Sequence, residues 1–321
     1  MTKIEISHRT IIFTIAFLVG LWVVVQIRDI LFLVFISFIL MSALRPLVDL
    51  SGRLHLPRLL AILLIYAVVF GLFGMGLAGS IPKLVDQSTR LITELPDFVA
   101  RVMPYWDVDV RSLTQQIAPL GQNVLRITVG IFSNLITTMT VLVFTFYFLL
   151  ERRNAQAFLT SIMGVGAAVQ VLNMLRSIER RLGAWVHGEL LLMFFVGLLV
   201  YIGLTFLRID FALPLAIIAG LLEIVPIVGP VISAVPAVLV ALASSPLLAL
   251  SVVALYFIVQ QIENNLMVPM IMKRSVGLSP IITILALMVG GRLAGLVGAV
   301  LAVPIVLVLQ EGIAAYMKKT S

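Results

Sequence analysis

Residues 211–243 read FALPLAIIAGLLEIVPIVGPVISAVPAVLVALA, an apolar run long enough to enter a bilayer but broken at its centre. Glu223 is a carboxylate inside that run, where an unpaired charge is expensive. Pro226 and Pro230 remove backbone donors, and Gly229 admits dihedrals that a helix excludes. Irregular backbone at membrane depth survives only where protein buries it or where it lines a watered cavity. A second run, 281–311, carries Gly290, Gly291, Arg292, Gly295 and Pro304 within an equally apolar sequence. Two such interrupted segments point to a path through a membrane rather than to a simple anchor.

The rest of the chain fits that setting. It is 61% hydrophobic and 12% charged, too apolar for a soluble domain of 321 residues, so the expected class is an all-α, polytopic helical integral membrane protein. The apolar runs do not alternate as barrel strands would. A net charge of +7 belongs with cytoplasmic loops and carries no implication of nucleic acid. The absence of cysteine excludes disulfides and thiolate chemistry. Spans are expected at 10–27, 30–44 and 59–81, the first retained rather than cleaved, with Arg28-Asp29 as a tight turn between the first two. These helices make an N-terminal unit, 1–81. Residues 82–128 balance five basic against five acidic side chains and begin as an amphipathic helix, expected on the extracytoplasmic side. A span at 129–150 precedes a basic amphipathic segment, 151–188, placed at the cytoplasmic headgroups. A last unit, 189–321, holds both broken segments. The two amphipathic stretches invite homo-oligomerisation.

Putting both termini inside places the basic loops 45–58 and 151–188 inside as well. Each half of 211–243 offers roughly 21 Å of helix against a hydrocarbon core of about 30 Å. The two broken segments, 211–243 and 281–311, are therefore expected to be re-entrant hairpins that dip in and return, leaving Lys273-Arg274 and Lys318-Lys319 inside. Pro214 and Gly229 stand fifteen apart, as do Pro280 and Gly295, which suggests an inverted repeat around a midplane site. Pro226, Gly229, Pro230, Gly290, Gly291, Gly295 and Pro304 are the residues expected to shape the hairpins.

Four ionisable residues lie in or beside apolar runs of this half: Glu189, Glu223, Glu263 and Arg292. Glu223 and Arg292 would meet at the hairpin tips, as a static tie or as a pair opened during transport. Glu263, Asn264 and Asn265 offer carboxylate and amide oxygens suited to a hard cation such as sodium, or to a proton, and the asparagines equally suit interhelical hydrogen bonds. Glu189 reads most simply as an interface residue. No cofactor is implied beyond Na+ or H+ as a coupling ion. The chain has no GxSxG, HExxH or Walker loop, and His187-Gly188-Glu189 lacks the cysteine pair that would make a zinc deaminase motif.

Several of these motifs together resemble the autoinducer-2 exporter family of bacterial and archaeal membrane permeases. The resemblance rests on Arg45-Pro46-Leu47-Val48-Asp49, Leu56-Pro57-Arg58 and Glu223-Ile224-Val225-Pro226-Ile227-Val228-Gly229-Pro230. It continues through Gln261-Ile262-Glu263-Asn264-Asn265 with Pro269, Gly277-Leu278-Ser279-Pro280, and the glycines leading to Ala302-Val303-Pro304. Glu189 stands where the family pattern would place glutamine, and Ser279 where histidine is common. The resemblance implies a secondary transporter of the inner (cytoplasmic) membrane that exports a small polar solute such as autoinducer-2, or exchanges sodium or lithium for protons. A third reading is a non-transporting scaffold assembled through 82–128 and 154–182.

Overall fold

The computed structural model describes residues 8–51, 56–69, 71, 90, 93, 135–272 and 277–320. All regular structure among them is helical. Four helices are long and apolar enough to cross a membrane: Arg28–Ser51, Gln156–Phe206, Pro246–Met272 and Pro280–Ala315. The amphipathic segment expected at 82–128 and the Lys273-Arg274 pair lie outside the described residues, apart from Arg90 and Thr93.

Helix α1 (His8–Gln26) does not turn back into α2 (Arg28–Ser51). The amide of Ile27 bonds the carbonyl of Val23, and that of Leu31 bonds the carbonyl of Ile27, so the helical ladder runs through Arg28-Asp29. The tight turn expected there is replaced by continuation, because neither residue breaks a helix and no glycine or proline is present to reverse the chain. Residues 11–31 are exposed throughout, and α1 is apolar on every face. A helix apolar all round belongs against lipid or other protein rather than water.

Helix α3 (Arg58–Val69) and α2 form a core with the first arm of α4 (Leu135–Phe206), built from Met41, Val48, Ile62, Ile65 and Leu149. α4 is broken once, at Gly164, whose φ of 79° only glycine adopts easily. Beyond it the helix runs unbroken for roughly 60 Å, well over the thickness of a bilayer core. The basic segment and the apolar span after residue 188 are thus one rod.

Pro46 explains where α2 meets this rod. A proline inside a helix leaves the carbonyl four residues earlier without its amide partner. That carbonyl belongs to Ser42, and Gly183 of α4 sits directly against it, with no room for a Cβ. Arg45 then reaches Glu179 at 2.6 Å, and Thr145 of the other arm donates to the carbonyl of Ser37 at 3.3 Å.

The first broken segment forms α5 (Ala212–Leu222), a turn, and α6 (Val228–Ser244). Leu215, Ala216 and Ala219 share a core with Ala237, Val240 and Ala241, so the two arms fold back on each other. Gly229 passes against the carbonyl of Leu222, an approach that any Cβ would block. Pro230 falls in the first turn of α6, where an amide would have no partner anyway. Ile227 closes the turn at φ 71°, a strained value for a β-branched residue.

Helix α7 (Pro246–Ile262) starts as its sequence dictates: Ser245 caps the amide of Leu248 and Pro246 occupies the first turn. It widens into a π turn, Glu263–Met267, before α8 (Val268–Met272). Pro269 supplies the reason. Its ring would collide with the carbonyl of Asn265 in a regular helix, and the wider turn relieves the clash.

Helix α9 (Pro280–Thr320) is interrupted at Ala294 and Gly295, the latter at φ 58°. Across this break Gly290 and Gly298 lie backbone to backbone. Gly291 has open space around it and ordinary helical dihedrals, so it does not share their packing role. Pro304 is fully buried in the second arm. The positions matched in the sequence as a repeat are locally unlike: Gly229 permits close packing inside a helix, whereas Gly295 is itself the left-handed residue.

These contacts can be tested by thermal melting in detergent. Gly183→Val should cost about 1–3 kcal/mol, as overpacking at a fixed backbone contact does. Gly291→Ala should be neutral or slightly stabilising, by up to about 1 kcal/mol, as expected for an uncrowded helical glycine. Equal effects of the two would contradict the α2–α4 contact.

Candidate functional site

Three short approaches converge on one place inside the C-terminal half. Gly197 of α4 and Gly220 of α5 cross closely, and a Cβ on Gly220 would meet the Met193 carbonyl at 2.7 Å. One residue type does this: only glycine lets two helix backbones touch. The crossing leaves Glu223, at the end of α5, facing the turn of α4 that begins at Glu189. Gly188 makes room for side chains of α8, since a Cβ there would meet Met272 Sδ at 2.9 Å. The π turn then carries Glu263 to the same point, with its backbone carbonyl accepting from the amide of Val268.

The result is a buried carboxyl cluster. Glu189, Glu223 and Glu263 are 4%, 1% and 5% exposed, values at which acidic side chains are rare unless they are paired. Glu223 and Glu263 lie within hydrogen-bonding reach, and Glu189 is close enough for its charge to act on both. Gln260 donates from Nε2 to Glu263 Oε2 at 2.9 Å. Glu223 Oε2 is buried with no hydrogen-bond partner among the described residues. Among the described residues no basic side chain forms an ion pair with any of the three.

The chemistry of such a cluster follows from its charge. Carboxylates accept hydrogen bonds and do not donate them, so Glu223 and Glu263 bond each other only when a proton sits between them. Two like charges about 4 Å apart repel by about 4 kcal/mol at an effective dielectric near 20, a sizeable part of a protein's whole stability. A positive charge, from a proton or a cation, removes that repulsion.

The other residues singled out from the sequence go elsewhere. Arg292 is exposed and makes no ion pair with Glu223. The geometric cause is plain: Val225, in the turn of the first broken segment, packs with Leu287 and Ala302 on the two arms of α9. The first turn therefore meets the second segment along its arms, and Arg292 lies further on, near the break. Asn264 and Asn265 are exposed, and Asn265 donates to the carbonyl of Gln261 in its own helix at 2.9 Å. Glu189 was the easiest member to undervalue, because it stands at the start of an apolar run as interface residues do. Gly188 beside it, and the glycine series continuing at Gly197, mark the close approach that buries it. Gln260 could have been found by its i, i+3 spacing to Glu263.

The sequence matches the model of the AI-2E family of transporters over residues 11–318. The chain belongs to that family. It is 29% identical over 312 residues to YueF of Bacillus subtilis (strain 168), which is classed by name among transport proteins, covering 89% of this chain and 84% of YueF. YrrI of the same organism is similarly named and 29% identical, with 86% and 82% covered. MT0215 of Mycobacterium tuberculosis (strain CDC 1551 / Oshkosh), also named a transport protein, is 28% identical across 94% of this chain and 86% of its own. These relatives are named as transport proteins, and family membership together with the apolar helices makes this chain a multi-pass membrane transporter.

The Gln260–Glu263 contact has a measurable consequence. Gln260→Leu should destabilise the protein by about 1–3 kcal/mol, because a buried carboxyl oxygen loses its donor. Gln260→Leu/Glu263→Leu should recover part of that loss. Strictly additive effects in unfolding experiments would contradict a direct bond.

Proposed function

We propose that this protein is a cation-coupled secondary transporter of the inner (cytoplasmic) membrane, with Glu223, Glu263 and Glu189 as its coupling site. The observation that carries the reading is the buried carboxyl cluster, which has no basic partner among the described residues. In a membrane, ionisable groups of this kind mark ion pathways. Transport would alternate between a state in which a proton or sodium ion neutralises the cluster and a state in which cargo or the opposite face receives it. The two broken segments enter the bilayer and return, so the unwound turn at Glu223–Ile227 faces the path. A small polar solute such as autoinducer-2 would be the cargo, in keeping with the resemblance to autoinducer-2 exporters and membership of the AI-2E transporter family.

Sodium or lithium exchange for protons is the second reading. The exposed position of Arg292 favours it, since the one basic side chain expected to hold a polar solute stands away from the cluster. Pure exchange needs only carboxyl groups and carbonyl oxygens.

Proteoliposomes holding a pH-sensitive dye separate the readings. Addition of sodium or lithium outside should drive proton movement in the wild type, and Glu223→Gln should reduce it at least tenfold while still inserting. Cation-driven flux unchanged in Glu223→Gln would remove Glu223 from the path. Flux absent from the wild type but present with labelled autoinducer-2 would select the solute reading. Failure of both would leave the scaffold reading.

A further inference from the structure

A groove of about 380 Å³ lies between α2 and the basic half of α4, with none of the three clustered carboxyl groups in its lining. Its walls carry four cationic or titratable nitrogen-bearing side chains, Arg45, Arg176, Arg180 and His187, against two carboxylates, Asp49 and Glu179. The charges are not equivalent. Arg45 is committed to both acids, with Nη1 at 2.6 Å from Glu179 Oε2 and Nε at 3.2 Å from Asp49 Oδ2. Glu179 is buried beneath it. Arg176 and Arg180 stand one helical turn apart on the same face of α4, exposed, and neither has an ion-pair partner among the described residues. His187 stands at the other end of the groove, exposed.

The floor of the groove is fixed rather than incidental. Gly183 and the freed Ser42 carbonyl hold the two helices together, and the Arg45 bridges pin the α2 side. Two unpaired guanidinium forks presented over such a floor suit a tetrahedral oxyanion, which arginine binds in bidentate fashion. Location adds the rest. The apolar run of α4 begins at Glu189, two residues after His187, so the groove opens at the level where lipid phosphates lie.

We propose that this groove is a binding site for a phosphate group, held by Arg176 and Arg180 and presented by an anionic phospholipid headgroup or by free phosphate. The occupant lies across α2 and α4 at their tightest contact, and so braces the rod that carries Glu189.

Purified full-length protein in detergent tests this, with thermal melting and native mass spectrometry as readouts. Wild type and Arg176→Gln/Arg180→Gln are compared with phosphatidylglycerol, with phosphatidylcholine, and with sodium phosphate against sodium chloride of equal ionic strength. Phosphatidylglycerol should raise the melting temperature of the wild type and remain bound to it, and the double variant should retain at least threefold less. A response to sodium phosphate that the variant loses would assign the site to free phosphate. Because the double variant could melt early for other reasons, Arg176→Lys/Arg180→Lys is added; it keeps the charge, loses the forks, and should fall between. Equal retention and equal shifts in wild type and Arg176→Gln/Arg180→Gln, or no response to either phosphate source, would overturn the proposal.

Discussion

Three carboxyl groups buried together inside an apolar helical assembly form the constraint on which the rest of the C-terminal half depends. Burying one ionised carboxylate costs several kcal/mol, and adding like charges beside it raises the cost further. A chain of marginal stability tolerates that arrangement only if something positive is recruited to it. The surrounding structure serves to hold the groups at close range. Gly197 and Gly220 set the α4–α5 distance, Gly188 leaves room for the Met272 side chain of α8, and the π turn before Pro269 carries buried Glu263. Gln260 satisfies one oxygen of Glu263, and Glu223 Oε2 has no partner among the described residues. Buried acceptors left in that state are rare in native structures.

Much of this was legible in the sequence, and the reasons are specific. The membrane class followed from long apolar runs with few charges. The breaks at 223–230 and 294–295 were marked by proline and glycine, whose backbone effects act locally and need no tertiary information. Glu223 and Glu263 stood out because a carboxylate in an apolar run is costly in any fold. Pro269 had the same kind of local consequence, although a π turn is one of several ways to absorb it.

What escaped the sequence depends on how helices are placed against each other. The partner of Glu223 is Glu263, with Glu189 beside them, instead of Arg292, because the first turn packs against the arms of α9 at Leu287 and Ala302. No local pattern encodes that offset. The junction at Arg28-Asp29 looked like a turn because two opposite charges separate two apolar runs, yet charged residues do not end a helix, and the ladder continues. The unbroken rod after Gly164 was likewise hidden, since amphipathic and fully apolar patterns alternate along one helix without any change in backbone.

The central claim is that the carboxyl cluster carries a proton which transport exchanges. Infrared difference spectroscopy of the protein in lipid, with sodium added and removed, reads this directly through the stretching band of a protonated carboxyl group. The account predicts a buried carboxylic-acid band that diminishes when sodium binds and is absent from Glu223→Gln. A spectrum with no such band, or with a band indifferent both to the cation and to the substitution, would contradict it.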